Sequence, residues 1–340
     1  MSSLRQHSPL LLTGACLIVI IAGVQAAASL LVPLLLSMFI ACICLPPLRW
    51  LVAKRIPATW AVLLVTLGLI LIGVLISMFV GASVADFSKN LPNYQERLQG
   101  QVLHLLSWLA SMGITITNQV VLDALNPGAA MGFAGTLLAS FGNALANTFF
   151  IILTVIFLMF EGLSLPHKWA LIREHAPSTD AIQTFLDSVN QYLVIKTWIS
   201  LATGVVVSIW LAILGVDYPL LWGLLAFLFN YVPNIGSIIA AVPAVLLALV
   251  QLGVDAALYA SLGYIAVNII MGNVIEPRFM GRSLGLSTLI VFVSLVFWGW
   301  LLGPVGMLLS VPLTMIVKLA LEANPNTQWI AVLLGPDVDP

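Results

Sequence analysis

Charge is scarce in this sequence. Asp, Glu, Lys and Arg make up 7% of 340 residues, where a soluble globular domain carries about a quarter. That scarcity excludes a soluble fold. Twelve basic residues stand against thirteen acidic ones, and no basic run provides the footprint that nucleic-acid binding needs. Cysteine is scarce too. Cys16, Cys42 and Cys44 all lie in apolar runs, so they read as packing residues and not as a disulfide or metal framework. No metal site and no cofactor are expected. The apolar runs also lack the strict alternation of a membrane barrel, which leaves helices as the spanning element.

What the chain has instead is uncharged length. Hydrophobic residues make up 61% and mean hydropathy is +1.12. These values predict an all-α, polytopic integral membrane protein with about eight hydrophobic segments, since one span takes about 20 apolar residues. Residues 6 to 48 hold no Asp, Glu, Lys or Arg, which gives two spans with a tight reversal near Val32-Pro33. The apolar sequence continues to Leu45, which argues against a cleavable signal peptide. Arg49, Lys54 and Arg55 form a basic loop, and Ile56 to Ala85 is a third uncharged run.

Polarity then divides the chain. Residues 1–85 read as N-terminal membrane helices serving as scaffold or oligomerisation surface. In residues 86–135, Leu91, Tyr94, Leu98, Val102 and Leu105 recur at helical spacing, which predicts an amphipathic extracytoplasmic segment. Gly128 and Gly132 form a weak helix-contact motif there. Residues 136–196 read as a membrane helix followed by a cytoplasmic amphipathic helix, opened by the capping pair Asp180 and Gln183. Lys196 at the mouth of the next span is expected to snorkel to the headgroups. Residues 197–320 form the expected transport core, and 321–340 a cytoplasmic tail.

Two runs in that core are interrupted. Residues 218 to 254 carry no charge, yet their middle reads Asn230-Tyr231-Val232-Pro233-Asn234-Ile235-Gly236-Ser237. Pro233 lacks an N–H and disfavours helix at the residue before it, so the backbone should break there. At membrane depth a break survives only where protein or a water-filled cavity covers it. Residues 289 to 317 contain Gly303-Pro304-Val305-Gly306 and then Val311-Pro312, echoing the spacing from Gly236 to Val242-Pro243. Paired interrupted segments mark solute sites in transporters; two ordinary proline-kinked spans are the plainer alternative. If all eight segments span with the N-terminus inside, eight of the twelve basic residues are cytoplasmic; if 219–251 and 288–317 are re-entrant hairpins, ten are. Basic residues favour the cytoplasmic side, so the count prefers the hairpins. Either way both termini are cytoplasmic.

Asn230, Tyr231, Pro233, Asn234 and Ser237 are the first candidates for a solute site. Asn268 and Asn273, on the helix between the two breaks, extend the set. That helix ends at Glu276-Pro277-Arg278, where Asn273 and Glu276 are three apart and share a helical face. Glu276 and Arg278 are candidates for gating or ion coupling; alternatively they pair with each other at the headgroups. Gly281-Arg282-Ser283-Leu284-Gly285 matches a hydrolase nucleophile motif by letter only, with no strand before it. No zinc-peptidase or phosphate-loop motif is present, so no enzyme is expected.

Three blocks resemble the autoinducer-2 exporter family, also called the PerM-like permeases. They are Phe229-Asn230-Tyr231-Val232-Pro233-Asn234-Ile235-Gly236-Ser237, then Asn273-Val274-Ile275-Glu276-Pro277-Arg278-Phe279-Met280-Gly281-Arg282, and Gly285-Leu286-Ser287 through Phe297-Trp298-Gly299-Trp300 to Val311-Pro312-Leu313-Thr314. The resemblance implies a bacterial inner-membrane transporter that exports autoinducer-2, a small polyhydroxylated quorum-sensing signal, without ATP. It also implies homopentamers and an elevator-like movement. Several amides and hydroxyls with few charges suit a neutral polyol, whose hydroxyls need paired donors and acceptors. The alternative is a cation/proton antiporter, for which Glu276 is the only plausible intramembrane carboxylate.

Overall fold

The computed structural model describes residues 4–111, 148–172, 179–233, 235–280 and 286–335, and every regular element among them is helical. The helices are α1 (Leu4–Ala26), α2 (Ala28–Ala53), α3 (Ala58–Ser111), α4 (Thr148–Ile172), α5 (Thr179–Leu214), α6 (Pro219–Phe229), α7 (Gly236–Leu252) and α8 (Val254–Asn268). A π-helical stretch, Ile269–Ile275, leads into α9 (Glu276–Met280), followed by α10 (Thr288–Leu308), α11 (Ser310–Glu322) and α12 (Gln328–Leu333). Among the described residues, six helices are long and apolar enough to cross a membrane: Ala28–Ala53, Ala58–Tyr94, Thr148–Leu165, Ser188–Leu214, Val254–Phe279 and Thr288–Leu308. The uncharged run at 219–251 forms two shorter apolar helices, α6 and α7, in place of one span.

Two expectations about boundaries change. The reversal near Val32-Pro33 is absent. Pro33 lies inside α2, and only Ala27 interrupts the helix. Even there Ala27 N–H bonds Gly23 O at 3.0 Å and Leu31 N–H bonds Ala27 O at 2.9 Å, so the i→i−4 ladder carries through. Proline is tolerated inside membrane helices because neighbouring groups satisfy the freed backbone. The polar boundary at residue 86 is likewise no helix end. α3 is one helix of 54 residues that passes through Pro92. Residues 112–135, Gly128 and Gly132 among them, lie outside the described residues.

The described residues cluster into two compact units. The first draws on Met1–Val62, Asn143–Asn190 and Gly285–Pro340, the second on Leu63–Gly142 and Gln191–Leu284. In the first, α2 packs closely on α4. A Cβ at Gly162 would meet Leu45 Cδ2 at 2.6 Å, and the fully buried Ser37 donates to Pro33 O at 2.7 Å. Small residues allow this approach, as is usual between helices in lipid.

The same unit contains the second interrupted run. Gly303 takes φ 68° and ψ −152°, a region that only glycine occupies readily. Beyond it, a Cβ at Gly306 would run into the Trp298 carbonyl, and one at Gly299 would meet Met307 Cγ at 2.7 Å. Residues eight apart in a straight helix are about 12 Å apart along the axis, so the chain turns back at Gly303-Pro304. Trp298 Nε1 donates to Thr314 Oγ1 at 2.9 Å, which ties the first arm to α11. Ser287 caps α10 by accepting from Ile290 N–H at 3.3 Å.

Candidate functional site

The second unit contains the first interrupted run, and the sequence explains its shape. Pro219 sits at the start of α6, where its missing N–H is harmless. Tyr218 just before it holds φ 58°. The helix ends in tightened turns: Tyr231 N–H reaches Leu228 O at 3.4 Å and Val232 N–H reaches Phe229 O at 2.8 Å. Ile235 N–H bonds Pro233 O at 2.6 Å, a two-residue closure, and Gly236 opens α7. A Cβ at Gly236 would collide with the Phe229 carbonyl. Glycine is therefore required where the two helices of the pair meet.

α5 provides the surface on which α6 and the start of the turn rest. Its buried positions recur as Val189, Leu193, Lys196, Ser200, Thr203, Val207 and Leu211, a stripe of helical period. α6 lies against it in backbone contact. A Cβ at Gly204 would meet Gly223 O at 2.6 Å and Phe227 Cβ at 2.9 Å. One at Gly223 would strike Ser208 Oγ. Further along the same face, Asn230 Nδ2 donates to Ser200 Oγ at 2.9 Å. The Tyr231 phenol donates to Thr197 Oγ1 at 2.8 Å, and that hydroxyl in turn donates to Leu193 O at 2.7 Å. Tyr231 is buried and Asn230 half-buried. Asn230 is left with its Oδ1 as an acceptor that no donor among the described residues engages.

Beside Thr197 stands Lys196, which does not snorkel. Its side chain is 6% exposed, and Nζ lies 2.7 Å and 2.8 Å from the two carboxylate oxygens of Glu276. A charge with an apolar stem reaches the headgroups only when no internal partner is offered; here the start of α9 offers one. Glu276 is therefore paired with α5 and not with Arg278, which is exposed and has no ion pair among the described residues. The carboxylate that a cation/proton antiporter would need is engaged by an ammonium.

The other end of the helix pair is anchored as well. Tyr94 donates to Asp217 Oδ2 at 2.6 Å, and Tyr218 donates to Asp86 Oδ2 at 2.8 Å. Gln251 accepts from Asp217 N–H at 2.9 Å and donates to Gly215 O at 3.1 Å. Arg97 Nη1 adds a bond to Gln251 O at 3.1 Å. Burial raises the Tyr218 phenol above its usual range, so it stays a protonated donor to Asp86. The polar residues of α3 past position 86 thus grip the two ends of the α6–α7 pair.

Of the remaining sequence candidates, Pro233 and Ser237 flank the turn and are half-buried, whereas Asn268 and Asn273 are exposed. No hydrogen bond among the described residues links those two amides to the turn. Asn273 is exposed, whereas Glu276, three residues on, is half-buried. The π-helical stretch between them has wider turns than an α-helix, and it leaves Asn273 exposed while Glu276 turns toward Lys196. Asn234, Arg282 and the hydrolase-like motif lie outside the described residues. Sequence reasoning missed Lys196, Thr197 and Ser200 as site residues. Their signal was present, since polar residues at 196, 200 and 203 fall on one face of an otherwise apolar helix.

Among the described residues, six helices of membrane length and composition, the last of them bent at Gly303, and a polar turn held by a hydroxyl-bearing neighbour define a multi-pass helical membrane protein of transporter type. Residues 15–326 match the AI-2E family transporter model, and the chain belongs to that family. It is similar to the AI-2 transport protein TqsA of Escherichia coli, with 43% identity over 320 residues covering 94% of this chain and 93% of the relative. A putative transport protein of Haemophilus influenzae is 43% identical over 331 residues, covering 94% of each chain. The putative transport protein YhhT of Escherichia coli is 36% identical over 328 residues, covering 96% of this chain and 94% of the relative.

Proposed function

We propose that this protein exports autoinducer-2, or a small neutral polyol of that class, across the bacterial inner membrane. The observation that carries the reading is the α6–α7 turn. There an amide and a phenol, Asn230 and Tyr231, are held by α5 hydroxyls, and Asn230 still presents an acceptor. A polyol needs such paired donors and acceptors and no net charge. The similarity to an AI-2 transport protein at 43% identity supports the choice of solute. Pro233, Asn234 and Ser237 complete the site at the turn, with Asn268 and Asn273 as further amides along the solute's route and Arg278 at its edge.

In this reading both helical pairs enter the membrane and return. With 11 residues, α6 is about 16 Å long, roughly half the hydrocarbon thickness of about 30 Å. The turn then lies near mid-membrane, ten of the twelve basic residues are cytoplasmic, and so are both termini. Movement is elevator-like, within a homopentamer whose scaffold includes the N-terminal helices. The test is efflux of autoinducer-2 from cells that make the protein with Asn230→Ala. Efflux should be lost while the protein stays in the membrane, and normal efflux would overturn the assignment.

A further inference from the structure

One way for a carrier to couple a solute to an ion is to fill and empty an intramembrane carboxylate with a cation. Glu276 is closed to that exchange, because Lys196 Nζ bridges its two oxygens at 2.7 Å and 2.8 Å. A Na+ entering there would displace an ammonium whose side chain is only 6% exposed. That ammonium would be left buried without a counter-charge, which is strongly unfavourable. Among the described residues of this unit, Glu96 is exposed on α3 and the remaining acids are engaged or at a helix end. Asp217 accepts from Tyr94, Asp86 accepts from Tyr218, and Asp255 lies in the first turn of α8. No three His, Cys, Asp or Glu side chains gather into a cation site among the described residues.

We propose that Lys196 is the resident counter-cation of Glu276. It stands where a Na+ would stand in an ion-coupled carrier, and it makes movement of a neutral solute independent of Na+ and of membrane potential. The pair carries no net charge, so it adds none to whatever this part of the molecule carries across the field. Removing the ammonium alone exposes Glu276 as a site for a monovalent alkali cation. Lys196 is thus a positioning residue that sets the coupling, and it need not touch the solute.

This inference rests on reading the protein as an autoinducer-2 carrier, and the experiment separates the two. Full-length protein is reconstituted in liposomes loaded with autoinducer-2, and efflux is followed with Na+ or choline as the bulk cation, with and without an imposed potential. Wild-type efflux should be the same in all four conditions. Efflux by Lys196→Met should rise about fivefold or more when Na+ replaces choline, and the added change Glu276→Gln should abolish that response. Wild-type efflux that depends on Na+ or on potential overturns the proposal, and so does a Lys196→Met variant as indifferent to Na+ as the wild type. If Lys196→Met fails to insert, the wild-type comparison still decides. A wild-type protein that moves no autoinducer-2 under any ionic condition contradicts the carrier reading instead.

Discussion

Removing one partner of the Lys196–Glu276 pair should destabilise the protein far more than removing both. At the observed 2.7 Å separation, two unit charges attract by about 6 kcal/mol at an effective dielectric of about 20. Desolvation of both groups offsets most of that, so the intact pair contributes little net stability. A single change leaves a buried charge alone, which costs about 3–5 kcal/mol for fully buried pairs. Glu276 keeps 21% of its side-chain surface exposed, so water softens the loss, and about 2–4 kcal/mol is expected for Lys196→Met. The double change Lys196→Met with Glu276→Leu should lie within about 1 kcal/mol of wild type, because well-packed apolar pairs replace buried ion pairs without large loss. The assay is reversible unfolding in mixed micelles, followed by helicity. Single changes that each lower stability by less than about 0.5 kcal/mol and simply add would refute the reasoning.

Three further outcomes follow from the packing. Gly223→Leu should separate α6 from α5, since even a Cβ there meets Ser208 Oγ; overpacking of this kind lowers stability by about 1–3 kcal/mol or more, read as a fall in melting temperature. Gly303→Ala forces an L residue to φ 68°, ψ −152°, and should destabilise by about 1–3 kcal/mol, while Gly68→Ala on the open face of α3 should not. Gln251→Leu removes the acceptor for Asp217 N–H and the donor to Gly215 O together. It should lower stability by about 1–3 kcal/mol and speed proteolysis in the connection at residues 215–218; an unchanged cleavage rate would contradict the anchoring role given to that residue.

What the sequence made legible was what proline, glycine and uncharged length dictate locally. The break at Pro233 to Gly236 follows from a missing N–H and a missing Cβ, and Gly303-Pro304 announces the second turn in the same way. Long-range pairing was not legible. Lys196 and Glu276 are eighty residues apart, and nothing near either names the other, so the expectations were a headgroup position for Lys196 and, for Glu276, either gating or ion coupling or a local pair with Arg278. Helix continuity was equally hidden. Asp86, Asn90 and Arg97 look like the start of a separate polar segment, yet α3 runs on through them, and those side chains find partners at Tyr218 and Gln251. The π-helical stretch was hidden too, since Asn273 and Glu276 have the spacing of neighbours on an α-helix.

The central claim is that the turn between α6 and α7 is where cargo sits, and solute protection tests it most directly. In a protein with Cys16, Cys42 and Cys44 replaced by serine, a cysteine is placed by Ser237→Cys beside the turn, or by Asp255→Cys at the start of α8 as a control. Autoinducer-2 should slow maleimide labelling at position 237 in proportion to its concentration and leave position 255 unaffected. Equal labelling at position 237 with and without the solute, in protein that still transports it, would place the cargo elsewhere.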